Sequence, residues 1–164
     1  MKLPEATRSR LLHQNLVIEG LLLGLTEEQL NLEFYTGKWT IHQQLAHLAS
    51  YNQTFITRVN IIMESFNAKF HFYVADNDPE FLLAVEMPHN YLMNYLREGR
   101  QTIQDMLFSF NSGELIRIGI HPKYGNLSIV MWTEFFLLHE AHHIYCIFKT
   151  VNEIKNQAQK AINN

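Results

Sequence analysis

Three histidines are the residues whose types and spacing could do chemistry in this chain. His139 and His143 stand four apart in a late segment of helical periodicity, and His47 stands in an earlier one. A helix turns about 100° per residue, so positions four apart share a face, about 40° apart. Three imidazoles from two helices supply the three protein nitrogens of an open zinc-type site and leave a fourth position for water or substrate. The late segment reads His139-Glu140-Ala141-His142-His143, which also matches the metalloprotease pattern His-Glu-x-x-His. The two readings put the same residues to different uses.

A single core histidine is ordinarily a hydrogen-bonded structural residue, because neutral imidazole is easily satisfied. A pair is harder to dismiss. His139 and His143 continue the ridge of Ile129, Trp132 and Phe136, where an apolar bundle helix would carry leucines. Polar rings there cost desolvation unless they are hydrogen-bonded or ligate something. His142, three residues from His139, offers an alternative pair; it points about 100° away from His143 and ranks behind it.

The zinc metalloprotease reading lacks its third ligand, which a zincin takes from downstream of the motif. Only 21 residues follow His143, and Glu153 is the only acidic one among them. It is predicted on the same helix, about 15 Å further along. Glu140 points about 100° from His139, so it is not expected to act as the base. It faces Thr133, Leu137 and Ile144, and its expected role is to pair with a donor on a neighbouring helix or to accept from a ligand imidazole.

The remaining constellations carry less. No Gly-rich phosphate loop follows a strand, and chain order gives no Ser-His-Asp set. Cys146 has a helical context and no paired thiol, which suits packing better than nucleophilic chemistry. Tyr51, Thr54 and Arg58 fall in line with His47 along one helix, beside its apolar stripe. That line predicts a site at the mouth of a bundle, partly open to water, with Tyr51 and Arg58 as candidates to line a substrate pocket.

Four helical segments must position these residues, and none of the chain shows strand alternation over a useful length. The first runs from about Pro4 to Leu23, with Pro4 in its first turn and Gly24 at its exit. Thr26 with Gln29 reads as a capping box for a short turn, and Thr40 with Gln43 as another that opens the second helix, to about Phe66. Asp78-Pro79-Glu80 starts a third helix, which Pro88 interrupts before Tyr91 to Leu107 resume the period. Ser112 to Leu127 reads as loop, marked by Gly113, Gly119, Pro122 and Gly125, with a brief extended piece around Leu115 to Ile120. Ser128 caps the fourth helix, which is apolar almost all round and reaches about Ile154. The architecture expected is an all-α four-helix bundle with long crossover connections and no substantial sheet, one domain over 1–164.

Composition supports that architecture and narrows the function. The chain is 47% hydrophobic and only 18% charged, which favours a well-buried domain over a disordered one. A net charge of −3 provides no basic field, so nucleic acid is not an expected partner. No apolar run approaches the roughly 18 residues of a membrane span. The single cysteine and the absence of a signal-like start at Met1-Lys2-Leu3-Pro4-Glu5 lead us to expect a cytoplasmic protein.

Several of these residues together resemble the DinB-like (DinB/YfiT) family of metal-dependent four-helix proteins, over nearly the whole chain. The likeness rests on Trp39-Thr40-Ile41, Leu45-Ala46-His47-Leu48, Gly125-Asn126-Leu127-Ser128 and the late run from His139 to Ile144. The resemblance implies one metal-binding histidine in the second helix and two, four apart, in the last: His47, His139 and His143. It also implies a homodimer. The metal expected is one divalent transition metal, zinc or nickel, since imidazole suits several such ions. The activity implied is that of a metal-dependent transferase or hydrolase acting on a small molecule, some relatives resembling thiol S-transferases that use a low-molecular-weight thiol. The rival expectation is a non-catalytic metal-binding or stress-associated dimer.

Overall fold

Side-chain caps set where the helices begin. In the computed structural model, which describes residues 2–162, Thr26 and Thr40 accept from the backbone N–H of Gln29 and Gln43, and each glutamine side chain accepts from its threonine N–H. These two capping boxes open α3 (Glu27–Leu30) and α4 (Ile41–Glu64), as the spacing predicts. Asp78 accepts from the N–H of Glu80 and starts α5 (Pro79–Val85), with Pro79 in its first turn. Pro88 separates α5 from α6 (His89–Ser109). Ser128 Oγ accepts from the N–H of Met131 at the start of α8 (Ile129–Ile162).

The helix expected from Pro4 to Leu23 is divided into α1 (Glu5–His13), a tighter turn over Gln14–Leu16, and α2 (Val17–Leu22). At that break the Gln14 amide donates to the Leu137 carbonyl and to Glu140 Oε2, both at 2.8 Å, tying the turn to α8. Helix α8 runs past Ile154 to Ile162. The apolar period stops there, but the exposed residues that follow are largely Lys, Gln and Ala, which favour helix without packing.

Four long helical segments therefore form a bundle in which α4 packs against α5, α6 and α8. Helices α4 and α8 run antiparallel: Tyr51 meets His139 and Phe55 meets Phe136, at ring-centroid distances of 4.1 and 4.6 Å. The apolar core lies in two clusters. One gathers Leu45, Leu92 and Ile147, the other Phe55, Ile103 and Trp132. No described helix is long and apolar enough to cross a membrane. Residues 1, 163 and 164 of the expected 1–164 domain lie outside the described residues.

The stretch from Ser112 to Leu127 is more ordered than its glycines and proline suggest. It forms α7 (Ser112–Leu115), capped by Asn111, then a hairpin of β2 (Ile118–His121) and β3 (Gly125–Ser128). A two-residue β1 (Ala68–Lys69) joins β2 in parallel, with Ala68 opposite Gly119. The brief extended piece expected around Leu115 to Ile120 is found as β2, and its buried positions are Gly119 and His121 rather than Ile118 and Ile120. Packing decides this alternation. Gly119 lies under Ile62 of α4, and its carbonyl accepts from the Trp132 indole at 3.2 Å.

A Cβ at Gly119 would stand 2.6 Å from Ile62 Cδ1 and 2.9 Å from Phe70 Cε2. Gly119→Ala is expected to destabilise the protein by about 1–3 kcal/mol through overpacking. Urea unfolding followed by circular dichroism measures it; an unchanged midpoint would show that the sheet yields freely at this point.

Candidate metal centre

His47 comes from the buried side of α4, and His139 and His143 from the facing side of α8. Their ring nitrogens converge. Nε2 of His139 lies 3.1 Å from Nε2 of His47 and 3.2 Å from Nε2 of His143, and the three possible ligand atoms all lie within 4.8 Å of one another. His142 is not part of the group; it is exposed, and its Nε2 faces Cys146 Sγ at 3.8 Å. The structure thus chooses His143 over His142, as helical geometry favours.

The donor set fits a metal. An imidazole nitrogen has one in-plane site for a proton, an acceptor contact or a ligand bond, yet His139 Nε2 faces two other ring nitrogens at once. Tetrahedral zinc with nitrogen ligands at about 2.05 Å separates those nitrogens by about 3.3 Å, close to the spacing found. His143 Nδ1 lies 2.6 Å from Gln44 Oε1, an acceptor, so the proton sits on Nδ1 and the Nε2 lone pair points into the cluster. The far nitrogens of His47 and His139 are buried without partners. Tilted aromatic packing holds those rings instead: the Trp39 ring lies 5.0 Å from His47, and Tyr51 4.1 Å from His139.

Burial also keeps the imidazoles neutral, the form in which histidine ligates. Desolvation, followed by the repulsion of neighbouring histidines, lowers His47 to about 3, His139 to about 2 and His143 to about 4. Each titrates at 6.5 when unperturbed, so between those values the unfolded chain binds more protons than the folded one. For the metal-free protein, this contribution to stability is full above about 6.5 and is lost as the pH falls toward the folded values. Urea midpoints measured from about pH 7 down to about pH 4 should fall with acid, and fall less in His47→Leu. An equal acid dependence in both proteins would remove His47 from the account.

Glu140 serves the fold. Its carboxylate pairs with Arg100 of α6 and accepts from Gln14, and the Arg100 and Glu140 side chains are 3% and 2% exposed. It makes no hydrogen bond to a ligand imidazole; of the two roles expected for it, the donor on a neighbouring helix is the one found. The Arg100 guanidinium also lies over the Phe136 ring, 4.8 Å from its centroid. Removing one member of such a pair leaves an uncompensated buried charge. Glu140→Ala is expected to cost about 3–5 kcal/mol in urea unfolding, and the double variant Glu140→Leu with Arg100→Met much less. A loss of under about 1 kcal/mol in Glu140→Ala would mean that the pair is solvated in solution.

The line Tyr51, Thr54, Arg58 was expected at a mouth partly open to water. It is more enclosed than that: Tyr51 and Arg58 are 4% and 9% exposed. The segment after α4 and the hairpin cover this side, with Tyr73 5.1 Å from Tyr51 and Phe70 beside Arg58. Two cavities nonetheless reach the histidines. One, of about 230 Å³, is lined by His139, Tyr51, Arg58, Tyr73 and His121 among others. The other, about 940 Å³, opens on His143 between the 34–39 segment and α8. Sequence reasoning did not single out Gln44 or Tyr73 for the site. Gln44 had a signal, since it precedes His47 by three on the same helix face; Tyr73 lies in an irregular segment and had none.

A mostly helical four-helix bundle with three convergent histidines in its core defines the class of protein. A family model for the DinB superfamily matches residues 14–147, and the chain belongs to that superfamily. In three dimensions it is similar to YfiT from Bacillus subtilis, with a TM-score of 0.78 and 17% sequence identity, over 92% of this chain and 87% of that one. YfiT is described as a probable metal-dependent hydrolase with an unusual four-helix bundle topology. No curated protein sequence matches significantly.

Proposed function

We propose that this protein is a metal-dependent enzyme, a hydrolase of small molecules, in which His47, His139 and His143 hold one divalent transition metal. The observation that carries the reading is the convergence of three neutral imidazole nitrogens at a point reached by two cavities. A closed structural site uses four protein ligands, whereas a three-ligand site keeps a position for chemistry. The description of YfiT supports hydrolysis over the other reactions considered. Zinc and nickel both suit imidazole ligands.

A divalent metal at this point supplies Lewis acidity, which acidifies water or polarises a substrate carbonyl. The protein's own residues prepare the place. Gln44 fixes the tautomer of His143, and Trp39 and Tyr51 fix ring planes by packing. Burial raises the Tyr51 hydroxyl above its usual range, so it keeps its proton and can donate to a substrate oxygen in the smaller cavity. The absence of a fourth protein ligand at the cluster among the described residues, and the two adjoining cavities, favour this reading over a non-catalytic metal protein. The protease reading draws no support, because Glu140 is committed to Arg100.

The purified protein should bind one equivalent of zinc or nickel by elemental analysis, and His47→Ala and His139→Ala should lose most of it. Gln44→Ala should weaken metal binding by about 10- to 100-fold. Metal retained at full stoichiometry in both histidine variants overturns the ligand assignment. Reaction class is read from a panel of small esters and amides, beside electrophiles paired with low-molecular-weight thiols. Hydrolysis lost on chelation and restored by metal supports the hydrolase. Turnover only with a thiol present would make the protein an S-transferase instead.

A further inference from the structure

We propose that the smaller cavity beside His139 is a receptor for an anionic group, a carboxylate or a phosphoryl, with Arg58 as its anchor. The starting point is a contrast between the two buried arginines among the described residues. Arg100 has Glu140 as its counter-charge. Arg58, 9% exposed, has no carboxylate partner among the described residues. Its Nη2 donates to the His71 carbonyl at 3.3 Å and its Nη1 to the Tyr51 hydroxyl at 3.5 Å. Both contacts are long and both acceptors are neutral, so most of the five N–H donors of the guanidinium have no strong acceptor. The rings of Phe70 and Trp132 lie 5.6 and 5.4 Å from its centre and soften the burial without neutralising the charge.

Burying a cation without a counter-charge is expensive, and a bound anion removes that cost. The cavity is built to admit one. Arg58 and Lys123 line it together with Tyr51, Tyr73 and Tyr124, and no aspartate or glutamate among the described residues does. The larger cavity on the His143 side also has no carboxylate in its lining and carries Lys38 and Lys149. This is notable in a chain with 16 acidic residues against 13 basic ones. Asp78 borders the groove on the other side of Arg58, but its two oxygens accept from Tyr73 and from the N–H of Glu80. At about 230 Å³ the cavity lies below the roughly 300–1,000 Å³ of whole-ligand pockets, which suits one anionic end of a larger molecule. Tyr73, Tyr124 and Phe135 add aromatic walls for a short apolar stem next to that end.

The assignment of the anion to a substrate rests on the three-histidine reading; the anion site itself does not, and is tested on metal-free protein. Benzoate and phenyl phosphate are titrated against benzamide, their uncharged counterpart, by calorimetry and by NMR of the arginine side chains. At least one anion should bind tenfold or more tightly than benzamide, and the Arg58 Nε–H resonance should move with saturation. The stronger of the two anions identifies the carboxylate or the phosphoryl source. Arg58→Gln should weaken that binding at least tenfold while keeping full metal stoichiometry, and Arg58→Lys should lose less. Benzamide binding as well as both anions, an Arg58 resonance that does not respond, or unchanged affinity in Arg58→Gln would each overturn the site. The resonance test needs no variant, so it decides even if Arg58→Gln fails to fold. Anion binding by a wild-type protein that takes up no zinc or nickel would uphold the anion site and overturn the metal reading alone.

Discussion

A polar layer divides the core of this bundle, and the rest of the structure is arranged around its cost. Below it lies the cluster containing Leu45, Leu92 and Ile147, and above it the cluster containing Phe55, Ile103 and Trp132. Between them sit the three imidazoles and the Arg100–Glu140 pair. A buried ion pair is a weak source of stability, because desolvation offsets most of the attraction. Its effect here is on geometry. The pair joins α6 to the side of α8 that carries Glu140, while His139 and His143 on the neighbouring side meet His47 of α4. A slip of one residue would turn α8 by about 100° and leave both charges and both imidazoles among apolar side chains.

Neighbouring features serve the same alignment. The capping boxes at Thr40 and Asn111 and the cap at Ser128 fix where α4, α7 and α8 begin. The turn at Gln14 brings a side-chain amide to Glu140, so the first helix breaks where it meets the polar layer. The small sheet presses Gly119 against Ile62 and accepts from Trp132, about two helical turns before His139 on α8. The site is held in place by α4 and α8 and enclosed by the least regular parts of the chain.

Much of this was legible in the sequence because the relevant signals are local. The histidine spacing, the two capping boxes and the prolines at 79 and 88 each act within about one turn of helix, and each is found as expected. What was not legible depends on contacts distant in the chain. The four-residue strands are too short to show a period, and the burial of Gly119 is decided by Ile62 on another element. The enclosure of Tyr51 and Arg58 comes from residues near 70 and 121, which carry no motif. Gln44 lay within reach of a spacing argument, but its role depends on His143, 99 residues away.

The late His-Glu-x-x-His run shows how little a helical motif settles alone. Any helix that reads this way offers two imidazoles on one face and a carboxylate about 100° around from the first. What that carboxylate does depends on the partner the fold places opposite it. Here the third imidazole comes from α4, upstream in sequence, and a guanidinium on α6 occupies the carboxylate. With Glu140 engaged as a counter-charge, any proton transfer at the three-histidine centre has to use other groups. Groups able to carry a proton that line the adjoining cavities include Tyr51, Tyr73 and His121 on one side and His142 on the other. The tyrosines hold their protons under burial and suit donation rather than abstraction. Glu140 is the one buried glutamate among the described residues, so under the metal-dependent reading proposed above basicity would come from His142, solvent, substrate or the coordinated ion rather than from a carboxylate.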